Sequence, residues 1–345
     1  MASEAPPFWW EKPDWRAMSL APAALLYGAV AGRRLLKADP PRISLPVLCI
    51  GNFTVGGAGK TPPTAIAFAN GAKARGLRPP GIVSRGYGGA YRGLHVVDAA
   101  HDSARYVGDE PLLLARHAPP VALCPDRLKG ARHLQTLGCD FIIMDDGFQS
   151  ARLFADFSLL VVDAARGIGN GKVIPAGPLR APLTDQMRKT DALLRIGKGD
   201  GADFVIRQAA RAGRPIYEAR LEPSSTAPVA GNRWLAFAGI GNPEKFYASV
   251  AEAGGEIVET RSFPDHHSFE ADDIRNLTDA ARRQGLGLIT TAKDQVRLAT
   301  MVGVPPAGFL EKLAVLDVDL KFDRKDALGR ILDTVTERFK SRVTS

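Results

Sequence analysis

Cysteine is scarce in this chain of 345 residues: Cys49, Cys124 and Cys139 lie far apart, with no C-x-x-C pair. That spacing excludes a disulfide framework and a cysteine-held zinc, makes a reducing cytoplasm the expected compartment, and leaves three thiols that read as small core residues. Histidine is scarce too. Of six, only His266 and His267 adjoin, and neighbouring imidazoles rarely ligate one ion well, so no zinc site is expected. No heptad run is sustained, and the 35 glycines and 25 prolines have no period, which removes the coiled-coil and collagen-like classes. A run of about 20 apolar residues, the length a membrane crossing needs, is also absent; the uncharged stretch 17–32 is too short and holds Pro22. A secretory leader does not fit either, because Glu4 and Glu11 precede the first cation, Lys12.

With 45% hydrophobic and 24% charged residues, the composition supports a sizeable core and excludes disorder as the main state. The length favours two domains, or one α/β domain with large insertions. An excess of 45 Lys and Arg over 37 Asp and Glu, net +8, suggests an anionic partner. The charge is dispersed and no RNP-type or helix-turn-helix signature accompanies it, so nucleic acid is not expected. Phe8, Trp9, Trp10 and Trp15 precede the uncharged stretch, and Arg33, Arg34 and Lys37 follow it. Two readings remain for residues 1–37: a helix lying in a membrane interface with its tryptophans at headgroup depth, which those residues favour, or an ordinary helix buried on the protein.

Beyond Pro40-Pro41 short apolar runs alternate with helical patterns. Strands are expected at 44–51, 81–84, 94–97, 121–123, 141–144, 159–162 and 192–196, with a helix over 61–75. Continuous Val/Ile/Leu runs joined by helices predict an α/β fold with a mostly parallel sheet covered on both faces. The domain expected over 38–215 gives way to an alternating linker strand at 216–230. A smaller α/β domain follows over 231–345, with strands near Trp234, Ile257 and Leu288 and a helix over 243–253. An alternating segment near 315–322 is expected to return and pair with the linker before a last helix over 327–339.

The first buried strand runs into Gly51-Asn52-Phe53-Thr54-Val55-Gly56-Gly57-Ala58-Gly59-Lys60-Thr61 and then a helix. This is a P-loop in its expected context. Backbone N–H groups of Gly56, Gly57, Ala58 and Gly59 turn toward phosphate, Lys60 reaches the β- and γ-phosphates, and the Thr61 hydroxyl suits Mg²⁺. The pattern departs from G-x4-G-K-[ST] at Thr54, which stands where the first glycine belongs. A second metal carboxylate is expected at the end of a neighbouring strand, and Asp145-Asp146 supply it, pointing to opposite sides if the strand persists. Asp109-Glu110 open a helix, where acids are favoured by the macrodipole alone. A small-molecule kinase also needs a group that takes a hydroxyl proton, and Asp109 and His266 are the candidates.

These residues, with Ser84-Arg85-Gly86-Tyr87-Gly88, Asp126-Arg127, Gly147-Phe148-Gln149, Gly169-Asn170-Gly171, residues 175–180 (PAGPLR), Pro264-Asp265-His266 and residues 290–294 (TTAKD), stand in one order along nearly the whole chain. In that order the chain resembles the tetraacyldisaccharide 4'-kinases of lipid A biosynthesis. The resemblance implies a P-loop NTPase-type kinase domain joined by a two-stranded linker to a smaller domain. It implies transfer of the ATP γ-phosphate to the 4'-hydroxyl of tetraacyldisaccharide 1-phosphate, giving lipid IVA, at an anionic membrane surface. The expected location is peripheral, on the cytoplasmic face of the inner membrane, with a monomer favoured. By motif, Asp109 matches the general base and His266 its partner, Lys60 serves catalysis and phosphate, and Thr61, Glu110, Asp145 and Asp146 hold or orient Mg²⁺. Arg127 and Gln149 are candidate nucleotide contacts, and Asn52, Arg85 and Arg180 candidate substrate contacts. The family often carries a glutamate after the motif arginine, where this chain has Ala181. A rival remains, a membrane-associated P-loop ATPase or GTPase switch; Thr291-Ala292-Lys293-Asp294 only loosely imitates a guanine-reading motif and lies far from the P-loop.

Overall fold

The computed structural model describes residues 5–55, 61–86, 88–118, 120–301 and 308–344. Twelve strands among them form one sheet. They are β1 (Val47–Gly51), β2 (Gly81–Ser84), β3 (His95–Val96), β4 (Val121–Leu123), β5 (Ile142–Asp145), β6 (Phe157–Asp163), β7 (Ala192–Ile196), β8 (Ile216–Ser225), β9 (Arg233–Ala238), β10 (Glu256–Ser262), β11 (Gly287–Thr291) and β12 (Ala314–Phe322). Their order is β10-β9-β11-β12-β8-β7-β6-β1-β5-β2-β4-β3. Pairing is parallel except at β3 against β4 and at β8 against β12. Strands β1, β2, β4 and β5 are buried at every residue, which is why they read as unbroken apolar runs: helices cover both faces.

The linker strands differ in composition because they differ in cover. β8 is buried only at Ala219, β12 only at Ala314, Val315, Leu316 and Leu320, and the two pair antiparallel from Leu316 opposite Ser225 to Phe322 opposite Ala219. The hydrogen-bonded ladder does not stop at them, since β8 also pairs with β7 and β12 with β11. Phe322 at the end of β12 meets Phe68 of the helix Thr61–Ala74 edge to face, ring centroids 5.8 Å apart. The returning strand thereby packs on the helix that follows the P-loop. On that face of the sheet one apolar core runs through both halves of the molecule; on the other, two separate cores form.

At the N-terminus, Pro22 lies in the first turn of the helix Ala21–Lys37, where its missing N–H costs nothing. Ala24, Gly28 and Gly32 form a buried stripe at every fourth residue. A side chain at Gly28 would meet Pro182 and Val173, and one at Gly32 would meet Asp185 and Pro182, so small residues seat this helix on the segment 173–185. Its other face is bare: Leu25, Leu26 and Val30 are 76%, 71% and 63% exposed, beside Trp15 and Met18 in the preceding turn. Trp9 and Trp10 correct the sequence expectation. The Trp9 ring is buried and donates Nε1–H to the Pro175 carbonyl at 3.0 Å, and Trp10 lies under the Arg166 guanidinium, 4.7 Å from ring centroid to Cζ. Both hold the N-terminal segment to the protein, and Trp15 alone of the three faces outward with the helix's apolar side. Among the described residues no helix is long and apolar enough to cross a membrane.

Candidate active site

The site gathers at the carboxyl ends of the parallel strands, where an open α/β sheet binds its ligands. β1 ends at Gly51, which has no room for a Cβ because Phe148 lies against it. The chain then runs out through Asn52, Phe53 and Thr54, all buried. Thr54 pairs with Leu179 in an antiparallel bridge, the Arg180 N–H donates to the Phe53 carbonyl at 3.0 Å and the Val55 N–H to Pro178 at 2.8 Å. The backbone at 54 is therefore extended and paired, and it does not need the glycine that the motif places there. Gly56, Gly57, Ala58, Gly59 and Lys60 lie outside the described residues; Thr61 opens the following helix and is buried.

Two glutamines and an arginine brace this turn. Gln149 donates to the Asn52 carbonyl and to Gln186 Oε1, each at 3.0 Å, and accepts from Arg180 at 3.0 Å. Arg180 Nε donates to the Thr54 carbonyl at 2.9 Å, while its two terminal nitrogens grip Asp146 through both carboxylate oxygens at 3.0 Å. Asp146 can face Arg180 because the strand ends at Asp145 and Asp146 enters the left-handed region, φ 43°. The two acids part company by this turn rather than by strand alternation. The Asn52 side-chain oxygen is buried without a hydrogen-bond partner.

Asp145 points into the protein. Ser84 donates to its Oδ2 at 3.2 Å, and its Oδ1 is buried with no partner. Burial first, then the charges of Glu110 and Asp146, push its carboxyl up to about 7. A carboxylate oxygen left bare, with high proton affinity, suits a divalent cation that would take the proton's place. Among the described residues no group of three or more His, Cys, Asp or Glu side chains is arranged to hold a metal, so phosphate and water oxygens have to complete such a site. Arg127 is 3% exposed and turned inward: it donates to the Val83 carbonyl at 2.6 Å and lies close to Asp145 and Asp146. In this geometry it supports strand ends and has no open face for a nucleotide. Arg85 is exposed at the end of β2.

The contact between Asp109 and His266 joins the sheet's two halves. Gly108, at φ 94°, a conformation only glycine adopts freely, delivers Asp109 to the start of the helix Asp109–His117. His266 lies in the loop after β10 at φ 59°. Its Nδ1 is 3.1 Å from Asp109 Oδ2. Burial alone would raise the Asp109 carboxyl, but hydrogen bonds and charge from His266 and Arg297 outweigh it and hold it far below the usual range. The hydrogen bond to Asp109, against the opposing effect of burial, raises His266 above an ordinary imidazole. Glu110 lies near enough to Asp145 for its charge to act there. Lys293 of the helix Ala292–Ala299 pairs with Glu110 at 2.6 Å, because the residue after Asp109 on the helix turns toward the second half.

Sequence reasoning missed Arg297 and the role of Lys293. A signal was present: Thr291, Asp294 and Arg297 recur every third residue, which puts them on one face of a helix start. Thr291 caps that helix by accepting from the Asp294 N–H at 3.1 Å.

Residues 16–337 match the model of the tetraacyldisaccharide-1-P 4'-kinase family. The chain is 90% identical over 345 residues, all of both chains, to the tetraacyldisaccharide 4'-kinase of Brucella anthropi. It is 80% identical over 343 residues, 99% of each chain, to that of Brucella melitensis biotype 2. A crystal structure of the "apo" form of LpxK from Aquifex aeolicus in complex with ATP matches in fold, with a TM-score of 0.71 at 24% identity over 92% of this chain and 99% of that one.

Proposed function

The chain belongs to the tetraacyldisaccharide 4'-kinase family, and from that premise we propose how its cleft performs the reaction. The enzyme transfers the γ-phosphate of ATP to the 4'-hydroxyl of tetraacyldisaccharide 1-phosphate, a lipid A precursor, giving the 1,4'-bisphosphate. The observation that carries this reading is the Asp109–His266 contact of 3.1 Å, an acid–base pair next to Glu110, whose charge reaches the Asp145 carboxyl with its bare oxygen. A switch ATPase needs no such pair.

Phosphoryl transfer passes through a loose transition state, so the protein's work is positioning and charge stabilisation. The Asp109–His266 pair receives the proton of the sugar hydroxyl as its oxygen turns on the γ-phosphorus. Lys60 and the glycine-rich loop hold the phosphates, and Thr61 and Asp145 would hold Mg²⁺, with Asp146 and Glu110 tuning the charge around it. When bound, Mg²⁺ neutralises the phosphate oxygens. Arg180 and Gln149 fix the loop's entry through Asn52 and Thr54, and Arg85 is free to meet an anionic group of either substrate. The halves 38–215 and 231–345 act as two lobes joined by β8 and β12, each supplying one member of the pair.

The substrate is acylated and lies in a membrane leaflet. The apolar face of Trp15, Met18, Leu25, Leu26 and Val30 beside Arg33, Arg34 and Lys37 supports docking at an anionic surface on the cytoplasmic side of the inner membrane. The chain is proposed to act there as a peripheral monomer. The test is ³²P transfer from γ-labelled ATP to the tetraacyldisaccharide 1-phosphate in detergent micelles with Mg²⁺, with ³¹P NMR locating the new phosphate. A 4'-phosphomonoester that is lost in Asp109→Asn is expected; label released only as inorganic phosphate would favour the switch ATPase.

A further inference from the structure

Arg297 approaches Asp109 alongside His266, from a helix that shares no motif with the P-loop. Its side chain is 6% exposed and that of Asp109 is 8% exposed. A guanidinium this deep must be hydrogen-bonded on all sides, and it is. Nε donates to Asp109 Oδ2 at 3.0 Å and one terminal nitrogen donates to the same oxygen. The other donates to the Gly239 carbonyl at 2.6 Å and to Asp294 Oδ1 at 2.8 Å. Asp294 is itself fixed, accepting from the Gly239 N–H at 3.1 Å and the Thr291 hydroxyl at 2.7 Å. Exposed ion pairs trade partners readily, whereas this fork is locked by two groups of the second lobe, the Gly239 carbonyl and Asp294, before it touches the first.

The consequence concerns which oxygen and which proton do the work. His266 and Arg297 both bond Oδ2 of Asp109, which leaves Oδ1 turned toward the glycine turn at Gly88, 3.9 Å from where a Cβ on that residue would stand. The charged groups facing the pair are His266 and Asp265 from the loop after β10, Lys293, Asp294 and Arg297 from the helix Ala292–Ala299, and Glu110 from Asp109's own helix. Asp265 and Glu110 favour a proton on the pair, Glu110 is matched by Lys293, and Arg297 opposes one.

Resting on the kinase reading above, we propose that Arg297 is a positioning residue that holds Asp109 Oδ2 in place toward His266, so that the proton of the sugar hydroxyl passes to this pair. In the transfer the O–H bond breaks and its proton passes to the Asp109–His266 pair. The oxygen's electron pair forms the bond to the γ-phosphorus, and the bridging P–O bond breaks with its electrons on ADP. Lysine is a poor substitute, because one ammonium cannot hold Asp109 and Gly239 with a fork's geometry.

The experiment compares wild type, Arg297→Met and Arg297→Lys at full length in substrate micelles, reading kcat, KM for ATP and the pH dependence of kcat, with circular dichroism giving the folded fraction. Arg297→Met is expected to lower kcat by about 10²-fold with KM for ATP unchanged. It is also expected to move the acid limb of kcat to higher pH, since loss of the cation lets His266 keep its proton longer. Arg297→Lys is expected to restore the limb toward its wild-type position while kcat stays low. A kcat that falls only with the folded fraction, on an unmoved pH profile, overturns the proposal, as does a wild-type kcat in Arg297→Lys even if the methionine variant does not fold. Failure of the wild-type protein to phosphorylate the lipid would instead strike the kinase reading itself.

Discussion

Thr54 stands where a P-loop motif calls for glycine, yet its backbone is extended, bridged to Leu179 and buried. Restoring the motif with Thr54→Gly therefore adds unfolded-state freedom without relieving any strain. Urea unfolding is expected to show a loss of about 0.5–1 kcal/mol, with no gain in kcat; a stabilised variant would mean the turn is strained after all. His266 makes a second residue-scale prediction. In the proposed mechanism the pair accepts a proton only while the imidazole is neutral, and Asp109 raises its proton affinity above the ordinary value of 6.5. Activity should accordingly fall as pH drops through a midpoint above about 6.5, and that limb should vanish from the residual activity of His266→Asn. An unchanged limb in the variant would assign it to another group. At this scale the sequence showed Arg297 only as the third member of the Thr291, Asp294, Arg297 spacing; its bond to Asp109 was not legible, because 188 positions separate the two.

The helix Ala21–Lys37 carries two messages on two faces. Its stripe of Ala24, Gly28 and Gly32 fits the protein, and its Leu25, Leu26 and Val30 face outward. Apolar residues exposed together in this way mark an interaction surface. Leu25→Asp with Leu26→Asp is expected to reduce binding to anionic lipid vesicles by at least about tenfold, since burial of one leucine contributes about 1.5–3 kcal/mol, while the melting temperature stays put. Equal vesicle binding by the double variant would remove this face from the membrane. The strands were legible because Val/Ile/Leu runs between Gly and Pro have few other uses: β2, β4 and β7 fall where the runs at 81–84, 121–123 and 192–196 predict them. Trp9 and Trp10 were not, because composition reports that a ring is amphipathic but not that a Pro175 carbonyl or an Arg166 guanidinium from far along the chain will claim it.

Across the whole molecule, continuity of the sheet decides how the site is assembled. β8 and β12 carry the ladder from one half to the other, and one apolar core follows it on one face. Asp109 with Glu110 and His266 with Lys293 and Arg297 meet on that frame as opposed pairs. The P-loop and the Asp145-Asp146 strand end were readable because each is a local pattern with a local reason. The pairing of Asp109 with His266 came only through family resemblance, since 157 residues separate them and no spacing rule spans a domain boundary. We propose that these two side chains act as one proton-handling unit. A double-mutant cycle of Asp109→Asn and His266→Asn on kcat for lipid phosphorylation tests it directly. Each single variant is expected to lose about 10²- to 10⁴-fold and the double variant little more than the worse single one; losses that multiply would show two independent residues and overturn the unit.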